Sequence, residues 1–211
     1  MIKLASQSFL ECTAVHEDAV TGKRCGMKPV YIVLTRTNTI LSRLIYAVTK
    51  NKYTHASLSL DTDFRCLYSF GRKNPKLLLP AGFVKESIYE GVFGAFENIH
   101  CAVYKVDVSD ENHAKLCDLL NTMELKGHTY RFNILGLPLC LIGFKKKRDV
   151  HFFCSQFVAY ALAESGALDM GKDCSLVRPI DFHKSPDIEQ IFAGNIGQLR
   201  QLVEGMGLNG V

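Results

Sequence analysis

Residues 151–166 read HFFCSQFVAYALAESG. Phe157, Val158, Ala161 and Leu162 recur at i, i+1, i+4 and i+5, one face of a helix, and Phe153 extends the stripe by a turn. Gly166, after Ser165, is a helix stop. The spacing predicts a helix from Cys154 to Ser165 whose apolar face must be covered by a second layer, and it sets Cys154 in the first turn. The N–H groups of a helix start have no intrahelical acceptor, and with the dipole they favour an anion. A cysteine placed there becomes a usable nucleophile at neutral pH. The alternative is a small buried hydrophobe, as free cysteines often are.

The covering layer is read from alternation. PVYIVLTR (29–36) is a β-branched strand after a proline. THASLSLD (54–61) and RCLYSFGR (65–72) form a hairpin across a polar turn, and IHCAVYKVDV (99–108) alternates again. Between them, NTILSRLIYAVTKN (38–51) has helical spacing with Asn38 or Thr39 as cap. SDENHAKLCDLLNTMEL (109–125) is a helix capped by Ser109 or Asp110. Residues 73–98, with two prolines and three glycines, are expected to be a long loop with short elements, and the last helix is expected near 188–205. Residues 1–28 are turn-rich and stay unassigned, an N-terminal extension of a chain in which no linker is evident. The order suits one α+β domain over residues 1–211.

Composition excludes several classes. The chain has 211 residues, 47% apolar and 22% charged, with a formal net charge of +4. That charge is too mild for a dedicated nucleic-acid binder. No apolar run near the start has the length of a signal-peptide core, so a cytoplasmic protein is expected. The longest apolar run, ILGLPLCLIGF (134–144), is broken by Pro138 and is about half a membrane span. It is read as a buried segment leading into a solvated KKKR turn (145–148), with contact to an anionic membrane surface as the alternative. The eight cysteines form no CxxC pair and are read as mostly reduced thiols. His113 and Cys117, four apart on a helix, lack a third ligand, so neither a metal nor a cofactor is expected.

A cysteine nucleophile needs a base, and histidine is the side chain that titrates near working pH. Of the seven histidines, His55 stands at the start of a strand, between a helix and a hairpin. A base at a strand end facing a thiol at a helix start is the arrangement of cysteine hydrolases. The alternative is a polar residue at a strand edge.

THASLSLD followed about a hundred residues later by FFCSQFVAYAL resembles the circularly permuted branch of the NlpC-type papain-like enzymes, YiiX-like amidases among them, and more distantly the lecithin:retinol acyltransferase-like proteins. The resemblance spans roughly 29–181 and takes in YSFGRK, GFVKE (82–86), YRFN (130–133) and the RP at 178–179. It implies a papain-like fold of permuted order, an antiparallel sheet or small barrel packed on the cysteine helix. It implies Cys154 as nucleophile and His55 as base, in acyl transfer through a thioester. The third residue of such sites is polar, on the strand after the histidine; here that stretch offers only Ser69, with Glu86 next in line. Tyr130 is a candidate hydroxyl contact to substrate, its alternative being a core aromatic. The expected substrate is a small peptide or amino-acid amide. A lipid acyltransferase or lipase using the same pair, and a non-catalytic binding domain, are the competing readings.

Overall fold

The structure, a computed structural model, describes residues 16–17, 24–37, 42–43, 46–47, 50–72, 81–146 and 148–207. Its centre is the strand β3 (Met27–Arg36), which follows the short pair β1 (His16–Glu17) and β2 (Arg24–Cys25). Successive side chains of a strand face opposite ways, and here both faces are buried. Val30, Ile32 and Leu34 join one core, Tyr31 and Val33 another. Strand β7 (His100–Ser109) pairs with β3 along its whole length, antiparallel, and divides likewise: Ala102, Tyr104, Val106 and Val108 on one side, Cys101 and Val103 on the other.

With β4 (His55–Ser59), β5 (Leu67–Arg72), β6 (Ala81–Glu86), β8 (Arg131–Phe132), β9 (His151–Phe152) and β10 (Glu189–Asn195), these strands form one sheet in the order β10-β7-β3-β4-β5-β6-β8-β9. Every pairing is antiparallel except β8 with β9. Helices α1 (Gly91–Ala95), α2 (Asp110–Leu125), α3 (Gly136–Leu141), α4 (Cys154–Glu164), α5 (Pro179–Lys184) and α6 (Ile196–Gly207) complete a mixed α+β architecture. Leu116, Leu120 and Met123 of α2, with Phe157, Val158, Ala161 and Leu162 of α4, fill the core on one face; Phe93, Ile196 and Leu199 cover the other.

The α4 helix runs as its spacing predicts, and Gly166 follows it at φ +74°, a conformation that costs a glycine little. The stripe understates its burial, since Cys154, Ser155, Gln156 and Ala159 are enclosed as well. Helix α2 starts as expected, with Ser109 Oγ accepting the Asn112 N–H at 3.2 Å. The helix expected over 38–51 has helical backbone at 42–43 and 46–47; the rest of that segment, with its caps at 38 and 39, lies outside the described residues.

Two expectations change, and a third is sharpened. Within the stretch expected as loop with short elements, residues 81–86 form a strand: β6 pairs with β5 over six residues, and Gly71 stands opposite Gly82. The two glycines dilute the alternation that marks a strand. The helix expected near 188–205 is half strand. Glu189–Asn195 follows the edge of β7, and α6 begins only where Asn195 Oδ1 accepts the Gln198 N–H and Gln198 Oε1 accepts the Asn195 N–H, a reciprocal cap. The run 134–144 is not a buried segment. It forms the six-residue α3, which buries Gly136 and Cys140, and Leu141 at its end and the flanking Ile134, Leu135, Ile142 and Phe144 are exposed.

Phe157 ties α4 to the sheet, its ring 5.3 Å from that of Phe70 and 5.6 Å from that of Phe83, with no exposure. Phe157→Ala should cost about 3–5 kcal/mol, read by urea unfolding. A cost below about 1 kcal/mol would mean the sheet does not depend on this contact.

Candidate active site

The first turn of α4 is buried, and its polar side chains are all satisfied by protein. Ser155 Oγ donates to the Val177 carbonyl at 2.7 Å. Gln156 Oε1 accepts the Phe153 N–H at 3.4 Å and the Asn133 amide at 3.3 Å. Asn133 in turn accepts the Gly136 N–H at 3.0 Å, while its own N–H donates to the Phe152 carbonyl at 2.9 Å. A Cβ on Gly136 would collide with the Asn133 side chain, so glycine is required there. The motifs YRFN and CSQF are therefore one unit, and Val177, next to the RP pair, is its third support. Buried polar groups without partners would cost several kcal/mol; here they fix the position of Cys154, which is 6% exposed.

His55 opens β4 opposite Thr35 of β3. The Cys154 side chain lies near enough to its ring to act on its charge. The pair that the sequence places 99 positions apart is brought together. Ring Nε2 lies 2.9 Å from Glu86 Oε2, 3.3 Å from Ser69 Oγ and 3.4 Å from Ser57 Oγ. Ser57 donates to Glu86 Oε2 at 3.1 Å. Ser69 is beside the imidazole, as its place on β5 suggests, but its proton goes to the Ala56 carbonyl at 2.8 Å. The shorter contact, and the only one of these carrying a charge, is that of Glu86, one strand further along. Strand β6 was hidden within an expected loop, which is why Glu86 stood behind Ser69; the GFVKE motif was the signal that pointed to it.

Tyr130 packs edge-on against Phe70, centroids 6.4 Å apart, and at a tilt against Phe152 at 6.3 Å. It is partly buried at the margin of the core. These contacts are those of a core aromatic.

The charges reinforce one another. Burial alone would lower the pKa of His55; the Glu86 carboxylate and the Cys154 sulfur outweigh it and hold the imidazole well above its ordinary value of 6.5. Burial alone would raise Glu86; the His55 charge, hydrogen bonds from His55 and Ser57, and the Arg72 guanidinium hold it below its ordinary 4.5. An opposite charge within hydrogen-bonding distance favours both charged forms.

Elsewhere, Cys66, Cys101, Cys117, Cys140, Cys154 and Cys174 are free thiols. Cys117 Sγ lies 3.6 Å from His113 Nδ1, and no group of three or more metal-ligating side chains occurs among the described residues. No helix among them is long and apolar enough to cross a membrane. No family model, curated protein or solved structure matches the chain.

Stability should follow these two groups. His55 is raised, so its contribution is complete below pH 6.5 and is lost as pH climbs through the raised value. Glu86 is lowered, so its contribution is complete above pH 4.5 and is lost as pH falls through the lowered value. Glu86→Gln should therefore cost most between these two pH values, about 1.5–3 kcal/mol for a hydrogen bond to a charged partner. The cost should shrink once pH passes the raised value of His55. Urea unfolding across pH measures it, and a cost that does not vary with pH would contradict the ion pair.

Proposed function

We propose that the chain is a cysteine hydrolase of the permuted papain-like kind, cleaving an amide bond in a small peptide or amino-acid amide. The observation that carries this reading is one imidazole that is hydrogen-bonded to a carboxylate and lies beside a helix-start thiol. With Nε2 engaged by Glu86, Nδ1 is the nitrogen left for the thiol. The carboxylate fixes the ring and stabilises its protonated form, the role a buried acid plays in nucleophile–base–acid triads. The order of the motifs, histidine strand before cysteine helix, supports the permuted arrangement.

In this mechanism the Cys154 sulfur, its proton passed to His55, attacks the carbonyl carbon. The Cys154 backbone N–H, free at the first position of α4, faces the developing oxyanion. The C–N bond breaks, His55 gives its proton to the leaving amine, and a thioester remains. Water, losing a proton to His55, attacks the thioester; the acid leaves and the proton returns to sulfur. A second reading, an acyl lipid as substrate, is favoured by the exposed Ile142 and Phe144.

The test is a panel of amides, thioesters and acyl lipids. Cys154→Ala should lose at least about 10³-fold on the best substrate, and Glu86→Gln about 10²-fold or more, with the alkaline limb of the pH profile moved down. Ser69→Ala should lose less than about tenfold, because it supplies a neutral second contact. A variant Cys154→Ala as active as the parent ends the proposal.

Selective alkylation offers a second check. Cys66, Cys117 and Cys174 are all more exposed than Cys154, so accessibility alone ranks them ahead. Cys154 should nevertheless react fastest with iodoacetamide at pH 7, and His55→Ala should abolish that lead. Labelling in order of exposure would contradict an activated thiol.

A further inference from the structure

The run 134–144 holds five of the eight large apolar side chains that are exposed among the described residues. Ile134 is 50% exposed, Leu135 59%, Ile142 77% and Phe144 60%. Together with Leu141, five large apolar side chains stand in solvent within eleven residues. Isolated exposed apolar residues are ordinary, but a cluster of them on one short segment marks an interaction site. The patch runs directly into Lys145 and Lys146, both exposed, and Arg148. Arg131 pairs with His151 across β8 and β9, and the His151 N–H donates to the Arg148 carbonyl at 3.2 Å, so Arg131 extends the cationic rim. Lys172 and Arg178 are partly neutralised by Asp181, and Asp149 is the exposed acid within the run.

The patch adjoins the candidate active site. Helix α3 packs on the 3-10 turn Cys174–Leu176, which also packs on α4.

We propose that this face, Ile134 to Arg148, docks on an anionic lipid surface, with Leu141, Ile142 and Phe144 entering the headgroup boundary and Lys145, Lys146 and Arg148 pairing with lipid phosphates. The occupant is chosen by charge. Apolar side chains rimmed by cations match an anionic bilayer. A second copy seated on the same face through a two-fold axis would set the basic run against itself. The inference is independent of the proposed catalysis, since docking needs neither Cys154 nor His55.

The test is co-sedimentation of the full chain, as Cys154→Ala to remove turnover, with vesicles of phosphatidylcholine alone or mixed equally with phosphatidylglycerol. Binding should favour the mixed vesicles at least tenfold and fall away in about 1 M salt, where the Debye length is about 3 Å. Each Lys or Arg near such a surface contributes about fivefold in partition, so Lys145→Glu with Lys146→Glu should lose at least about 25-fold. Ile142→Asp with Phe144→Asp should lose binding at moderate salt too. All four positions are exposed, and circular dichroism confirms that the variants are folded. No sedimentation with the mixed vesicles would overturn the proposal. So would equal binding to both vesicle types, binding unchanged in either double variant, or a dimer abolished by these variants and unaffected by vesicles.

Discussion

A helix start that is buried has to find protein partners for every polar group it carries, and the first turn of α4 is such a start. Ser155 uses the Val177 carbonyl, and Gln156 uses Phe153 and Asn133. Asn133 brings with it the parallel pair β8–β9 and the tight turn at Gly136. Removing one of these partners would leave a buried donor or acceptor unpaired, at about 1–3 kcal/mol. The network therefore does more than hold the helix: it fixes Cys154 against β4, the strand that carries His55. A thiol loose by an ångström would lose the imidazole.

Around that fixed sulfur the charges are organised from the sheet. His55, Ser69 and Glu86 come from three adjacent strands, so their spacing is set by backbone ladders and not by mobile loops. The low exposure of Cys154, with 17% and 28% for the side chains of His55 and Glu86, limits solvent screening and makes each charge count for more. That is why His55 is raised and Glu86 lowered although burial works against both.

Much of this was legible in the sequence, and the failures share physical causes. The α4 helix and its glycine stop, β3, the β4–β5 hairpin, β7 and the Ser109 cap follow from periodicity and caps. Cys154 and His55 stand out as candidates because their positions, at a helix start and a strand start, carry chemical meaning. Glu86 was ranked second because its strand is short and interrupted by Gly82, so no alternation announces it. Ser69 was preferred by chain position, which does not show that its proton is already committed to Ala56. The fate of 134–144 was misread for a related reason. Hydrophobicity predicts burial only when another layer is there to cover it, and the flanks of the short α3, Ile134, Leu135, Ile142 and Phe144, stay exposed. Ser155 and Gln156 looked out of place in an apolar helix because their partners, at 177 and 133, are distant in sequence.

The central claim is that His55 is one imidazole shared between a thiol and a carboxylate, and ring-nitrogen NMR reads it directly. Titrating His55 in the intact chain should show it still protonated well above pH 6.5. Glu86→Gln should bring its midpoint down, and Cys154→Ala should bring it down further by removing the sulfur's share. A His55 that titrates at its ordinary value, indifferent to both substitutions, would contradict the account.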